Sequence, residues 1–198
     1  MIFYFSGTGN SKWIANQLSK EQKEELVFIP DALNNGTFEF CLREDEKIGF
    51  VFPVYSWAPP EIVLNFIRQL SLKGYKRQYL FFVCSCGDDT GLTQQVLEKA
   101  LSHKGWKCHA GFSVTMPNNY VLLPGFDVDK KELEEKKLAD AIPAVNQINA
   151  SISRSWRNCC GCRSFRWSCC YHRWKNLASC WSWWLFFSSF WRSCSGNR

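Results

Sequence analysis

The stretch that decides the fold is the opening one, Phe3-Tyr4-Phe5-Ser6-Gly7-Thr8-Gly9-Asn10-Ser11-Lys12-Trp13-Ile14-Ala15. Residues 2–5 are a short apolar run of the kind buried in a strand. From Asn10 onward Trp13, Ile14, Ala15 and Leu18 recur at helical spacing. Between the two lie Gly7 and Gly9 and the hydroxyl side chains of Ser6, Thr8 and Ser11. A helix N-terminus carries unpaired N–H groups and positive partial charge, and glycines let the backbone curl tightly round an anion. A strand that ends in such a loop and restarts as a helix is suited to hold a phosphate without metal or arginine. The plainer alternative is a small-residue turn that only caps the helix, but a cap needs one hydroxyl rather than three. The spelling excludes two other phosphate motifs. There is no G-x-x-x-x-G-K-[ST] loop, and Lys12 stands where G-x-G-x-x-G needs its third glycine.

Working outward, apolar runs alternate with helical patterns as far as residue 150. Residues 26–29 read as a second strand ended by Pro30, and residues 48–52 as a third ended by Pro53. Pro59 and Pro60 open a helix with Ile62, Val63, Phe66, Ile67 and Leu70 on one face. Residues 79–84 are a fourth strand, 92–101 a helix and 108–116 a fifth strand. Residues 130–148 form a charged amphipathic helix that Pro143 is expected to interrupt. Strands that are apolar throughout and separated by helices predict an α/β protein with a doubly wound five-stranded parallel sheet and helices on both faces. Ligands of such sheets bind beyond the carboxyl ends of the strands, where the opening loop lies.

Composition divides the 198 residues near Ser151. Residues 151–198 hold 7 Cys, 7 Trp, 7 Arg and 11 Ser, with no Asp or Glu. Residues 1–150 carry 16 basic against 18 acidic groups, a formal charge of −2, so the +6 of the whole chain comes from the last 48 residues. A nucleic-acid role would rest on that segment alone and is not expected. No charged lead and cleavage site marks a signal peptide. The apolar stretch 181–191 is too short to span a bilayer, so no membrane association is expected. Cys41, Cys84, Cys86 and Cys108 have no framework spacing, which predicts a reducing, cytoplasmic location.

The loop Ser6-Gly7-Thr8-Gly9-Asn10-Ser11 resembles the FMN phosphate loop of flavodoxins, [ST]-x-T-G-N-[ST], with Ser6, Thr8, Gly9, Asn10 and Ser11 on the motif. F-P-V-Y-S-W-A-P-P (52–60) resembles their second flavin loop, and M-P-N-N-Y (116–120) a stretch after the fifth strand. Over residues 1–150 the chain is most similar to the flavodoxin-type domain that precedes a ferredoxin module in a group of anaerobe proteins. The resemblance implies FMN as cofactor, with its phosphate held by Ser6, Gly7, Thr8, Gly9, Asn10 and Ser11. The loop Pro53, Val54, Tyr55, Ser56 and Trp57 would flank the ring, with Trp57 and then Tyr55 as stacking side chains. Backbone groups of Ser85, Cys86, Gly87 and Asp88 would meet its polar edge. Asp88 and Asp89 would hold the potential low, or serve only as solvated turn acids. Asn118, Asn119 and Tyr120 would line the pocket or simply close a turn, and are not counted in the expected site.

The implied function is electron transfer to or from a ferredoxin-type iron–sulfur protein or a reductase. The alternatives are an NAD(P)H:quinone-type oxidoreductase on the same fold, or a remnant that has lost its cofactor. No acid–base pair emerges, since His103, His109 and His172 lie near no plausible nucleophile, and no catalytic or metal-binding residue is expected. The C-x-C of Cys84 and Cys86 is not a dithiol motif, and Cys159, Cys160, Cys162, Cys169 and Cys170 do not spell an iron–sulfur or zinc site. If about 12% of residues are acidic, none in 48 has a chance of roughly 0.2%. The segment after residue 150 therefore reads as disordered or out of frame, and as dispensable for fold and flavin.

Overall fold

The computed structural model describes residues 1–119 and 127–159, with side chains described as far as Ser155. The cysteine-, tryptophan- and arginine-rich segment lies almost wholly outside the described residues. Among the described residues seven strands and five helices follow one another: β1 Ile2–Tyr4, α1 Asn10–Gln22, β2 Leu26–Phe28, α2 Ile29–Asn34, β3 Glu39–Cys41, β4 Ile48–Pro53, α3 Glu61–Gln69, β5 Ser71–Lys73, β6 Leu80–Cys86, α4 Thr93–Ser102, β7 Ala110–Thr115 and α5 Lys131–Cys159.

The main sheet has five strands in the order β2-β1-β4-β6-β7, and every neighbouring pair is parallel. Alternation along the strands serves two apolar layers at once. Phe3, Ile48, Phe50, Phe52, Leu80, Phe82 and Cys84 face a core shared with α2, α3 and α4. Ile2, Val51, Phe81, Val83 and Val114 face the other core, against α1 and α5. Burial on both faces is why these strands are apolar without a polar alternate. The sheet is thus the five-stranded, doubly wound parallel one expected, and its carboxyl edge carries the loops after β1, β4, β6 and β7.

Several elements differ from the reading of the sequence. Pro30 lies in the first turn of α2, where its missing N–H costs nothing, rather than simply ending a strand. β3 and β5 form a separate two-stranded parallel sheet. Each has only three residues and the pair turns Glu39 and Lys73 to solvent, so no apolar run announces it. Phe40 anchors it edge-on to Phe3 at 5.2 Å. β6 runs on through Ser85 and Cys86, both buried.

α5 continues through Pro143 and beyond residue 150. Ala141, Val145, Ile148 and Ile152 form one buried stripe against the sheet, which holds the helix across the lost N–H. A polar lock ties it to α1. The Gln22 amide donates to Asn149 Oδ1 at 2.9 Å and to the Asn149 carbonyl at 3.1 Å, while the Gln22 oxygen accepts from Ser153 at 3.2 Å. The expected boundary at residue 150 therefore falls inside a helix, with Ile152 and Ser153 beyond it packed on the sheet and on α1. Among the described residues no helix is long and apolar enough to cross a membrane.

At the amino edge of the sheet, β7 begins after His109, whose Nδ1 accepts the Leu80 N–H at 3.0 Å. Burial and the neighbouring Lys107 cation push the His109 pKa down. The folded state therefore binds fewer protons than the unfolded state in this range. The stabilisation is complete above the unfolded pKa and is lost as pH falls through the lower folded value. Urea midpoints should thus drop between about pH 7 and about pH 5, and drop less in His109→Gln. An equal drop in both proteins would remove His109 from the account.

Candidate functional site

Three loops meet at the carboxyl edge. The first joins β1 to α1. Gly9 is the N-cap of α1 at φ 107°, a conformation that L side chains rarely adopt, and no side chain caps the helix. Its first turn holds no acidic residue. The Ser6 hydroxyl accepts the Gly9 N–H at 3.1 Å and folds the loop back on itself. Gly7, Thr8 and Gly9 are exposed, and a side chain built on Gly9 would meet nothing within 4 Å. The result is an open, positively polarised backbone cradle, the donor set a phosphate dianion needs.

The second loop follows β4. Val54 donates to the Ser85 carbonyl at 2.8 Å, which keeps the chain on the sheet for one residue more. Tyr55 and Ala58 then exchange backbone hydrogen bonds of 2.9 and 3.0 Å around Ser56 and Trp57, whose φ values are 49° and 60°. This is a two-residue turn with both central residues left-handed, a geometry usually given to Asn-Gly. Holding two other residues there costs of order 1–3 kcal/mol each, strain of the kind found at ligand loops. The turn throws Trp57 (58% exposed) and Tyr55 (47% exposed) outward. Tyr55 packs edge-on to Phe5, and its hydroxyl lies 2.6 Å from where a side chain on Gly7 would begin. The aromatic loop and the phosphate loop are thus adjacent.

The third loop follows β6. Gly87 ends the strand and Asp88 is exposed. The Asp89 carboxylate accepts the Thr90 and Gly91 N–H groups at 2.6 and 3.2 Å, so it is a turn acid. Gly91, at φ 52°, lets the chain pass under Trp57, where a Cβ would lie 2.3 Å from the Trp57 Cβ. Leu92 donates to the Trp57 carbonyl at 2.8 Å, pinning the strained turn from below. The segment after β7 closes the edge. The Asn119 amide donates to Thr8 Oγ1 at 2.5 Å, and Asn10 donates to the Pro117 carbonyl at 3.3 Å.

The flavodoxin domain family matches residues 1–118. The chain belongs to the flavodoxin domain family. Among solved structures, it is similar to Megasphaera elsdenii flavodoxin in its two-electron reduced form, at 20% identity over 73% of this chain and 97% of that one (TM-score 0.45). A flavodoxin of Streptococcus pneumonia TIGR4 matches at 14% identity over 78% and 97% (TM-score 0.44). An FMN-dependent NADH-azoreductase of Bacillus anthracis in complex with FMN matches at 9% identity over 78% and 98% (TM-score 0.49). No functionally curated protein matches the chain.

Within this flavodoxin domain, Ser6, Gly7, Thr8, Gly9 and Asn10 form the cradle, and Pro53, Val54, Tyr55, Ser56 and Trp57 the loop beside it. Ser11 plays a different part. Its buried hydroxyl shares a 2.8 Å hydrogen bond with Ser85 and ties α1 to β6, leaving only its backbone N–H for an anion. Ser85 and Cys86 are strand residues rather than loop residues, which leaves half-buried Gly87 and exposed Asp88 as the loop part of that group. Burial raises the Cys86 pKa to about 11 and pushes Cys84 higher still, so both thiols are neutral at physiological pH. Pro117 and Asn119 fall on the M-P-N-N-Y stretch of the resemblance, whereas Gly91 was not legible as part of the site.

Proposed function

We propose that this flavodoxin domain binds FMN and carries electrons to or from a ferredoxin-type iron–sulfur centre or a reductase. The observation that carries the reading is the open, uncapped, glycine-turned N-terminus of α1 lying next to two outward-facing aromatic side chains at one sheet edge. FMN, when bound, supplies a ring that accepts and releases one or two electrons. Gly7, Thr8, Gly9, Asn10 and Ser11 would hold its phosphate through backbone N–H groups, with the Thr8 hydroxyl as an added donor. Trp57 would cover the ring, with Tyr55 at its phosphate side, and Gly87 and Asp88 would meet its polar edge.

A terminal monophosphate suits the cradle better than a dinucleotide. Gly9 and the first turn of α1 form one anion site, and Lys12 stands where a dinucleotide loop would need a glycine for close helix packing. A carrier role fits the surroundings: the nearby thiols are neutral, and His109 lies at the opposite edge of the sheet.

Titration of the full chain with FMN should quench tryptophan fluorescence saturably, and Trp57→Phe should lose much of that quench. Trp57→Ala should weaken FMN about fivefold, on the scale of about 1 kcal/mol for an aromatic pair. Unchanged affinity and quench in both variants would take Trp57 off the ring. Absence of saturable FMN binding to the parent chain would sink the whole reading.

A further inference from the structure

One lysine outside the phosphate and aromatic loops reaches into the edge of the site. Lys137 is on α5, 11% exposed, and its ammonium donates to the Gly87 carbonyl at 3.1 Å and to the Asp129 carboxylate at 2.7 Å. The same Asp129 oxygen accepts the Asn118 N–H at 2.8 Å. The Asn118 side chain lies against Gly87, 3.3 Å from where a Cβ would stand. The exposed Asp88 carboxylate is 4.0 Å from the ammonium. One half-buried cation thus staples the end of β6 to the segment after β7.

A solvent-facing lysine would gain little from this arrangement, since exposed ion pairs contribute about 0–1 kcal/mol. This one is withdrawn from water, and its carboxylate partner is 12% exposed. Desolvation presses the Asp129 pKa up, but the Lys137 and Asn118 hydrogen bonds outweigh it and hold the carboxyl below its ordinary value. Asp129 is therefore ionised at neutral pH and keeps the ammonium directed at Gly87. The described chain contains no cis peptide. A trans peptide whose carbonyl points to Lys137 presents its N–H, that of Asp88, the opposite way.

Resting on the FMN reading above, we propose that Lys137 is a positioning residue: it fixes the Gly87–Asp88 peptide and offsets the Asp88 charge, so that reduced flavin is held more tightly than it would otherwise be. Reduction places negative charge on the polar edge of the ring. A fixed N–H donor and a nearby cation both favour the charged form, and the cation acts strongly because it is withdrawn from water. Lys137 thereby acts through Gly87 and Asp88, without touching the ring.

The test compares FMN affinity in both redox states for the full chain, Lys137→Met and Lys137→Arg. Lys137→Met should lower the preference for reduced over oxidised FMN at least tenfold, which is about 30 mV in the two-electron potential. Lys137→Arg should restore most of it. Equal weakening of both states, or an unchanged ratio, would make Lys137 a merely structural residue and overturn the proposal. A second readout needs no flavin. The amide nitrogen resonance of Asp88, which follows the hydrogen bond on the Gly87 carbonyl, should move in Lys137→Met, while the amide resonances of residues 81–83 stay in place. An unchanged Asp88 resonance would overturn the proposal even in a protein that binds FMN. A moved Asp88 resonance in Lys137→Met, together with a parent chain that binds no flavin, would instead show the staple to be real and the FMN reading to be at fault.

Discussion

Gly9→Val should weaken FMN binding at least a hundredfold, about 2.7 kcal/mol, while leaving the protein folded. Two features of Gly9 set this expectation. Its φ of 107° lies in a region closed to β-branched residues, so valine must pull the N-cap of α1 out of shape. The position is also open, with nothing within 4 Å of a built Cβ, so no clash inside the apoprotein accompanies the change. The loss therefore falls on the cradle: the isopropyl group would project from the backbone that must approach the phosphate. Lys12→Ala is the control. Lys12 is exposed, and if the backbone holds the phosphate its removal should change affinity by less than about threefold, the order of a surface charge. Comparable losses in the two variants would indicate a cationic site instead.

The second large effect concerns stability. Ile152 is fully buried in the stripe that packs α5 on the sheet, and it lies beyond the point where composition changes. Ile152→Ala should cost about 3 kcal/mol, the middle of the range for deleting a buried aliphatic side chain. For a domain of this size that lowers Tm by roughly 6–12 °C. Ile142→Ala, on the same helix but 54% exposed, should stay within about 0.5 kcal/mol. FMN affinity should change in neither variant, because neither residue is among those that form the three loops. If Ile152→Ala melts like the parent chain, α5 does not pack on the sheet past Ala150.

These two regions differ in how far the residues themselves disclose them. The phosphate loop was legible because strand, glycines, hydroxyls and helix are contiguous, so the local chemistry of 13 residues contains the whole device. The five main strands were legible because burial on both faces leaves long apolar runs such as Leu80–Cys86. The small sheet of β3 and β5 was not, because three-residue strands with one exposed face carry no such signal. Pro143 by itself predicts an interruption of α5, yet the buried stripe from Ala141 to Ile152 outweighs one missing hydrogen bond. Ser11 illustrates a further limit. Its place in the motif was plain, but its hydroxyl turns inward to Ser85, 74 positions away. Lys137 reads as one charge among many on an amphipathic helix. Only the fold brings it to Gly87, 50 positions earlier in the chain.

The most direct test of the central claim is the identity of the flavin held by the purified full chain, after reconstitution if it is isolated colourless. Denaturing release followed by chromatography should yield FMN at close to one equivalent per chain, in a protein whose bound flavin can be reduced and reoxidised reversibly. Release of FAD, or failure to retain any flavin after incubation with excess FMN, would contradict the account.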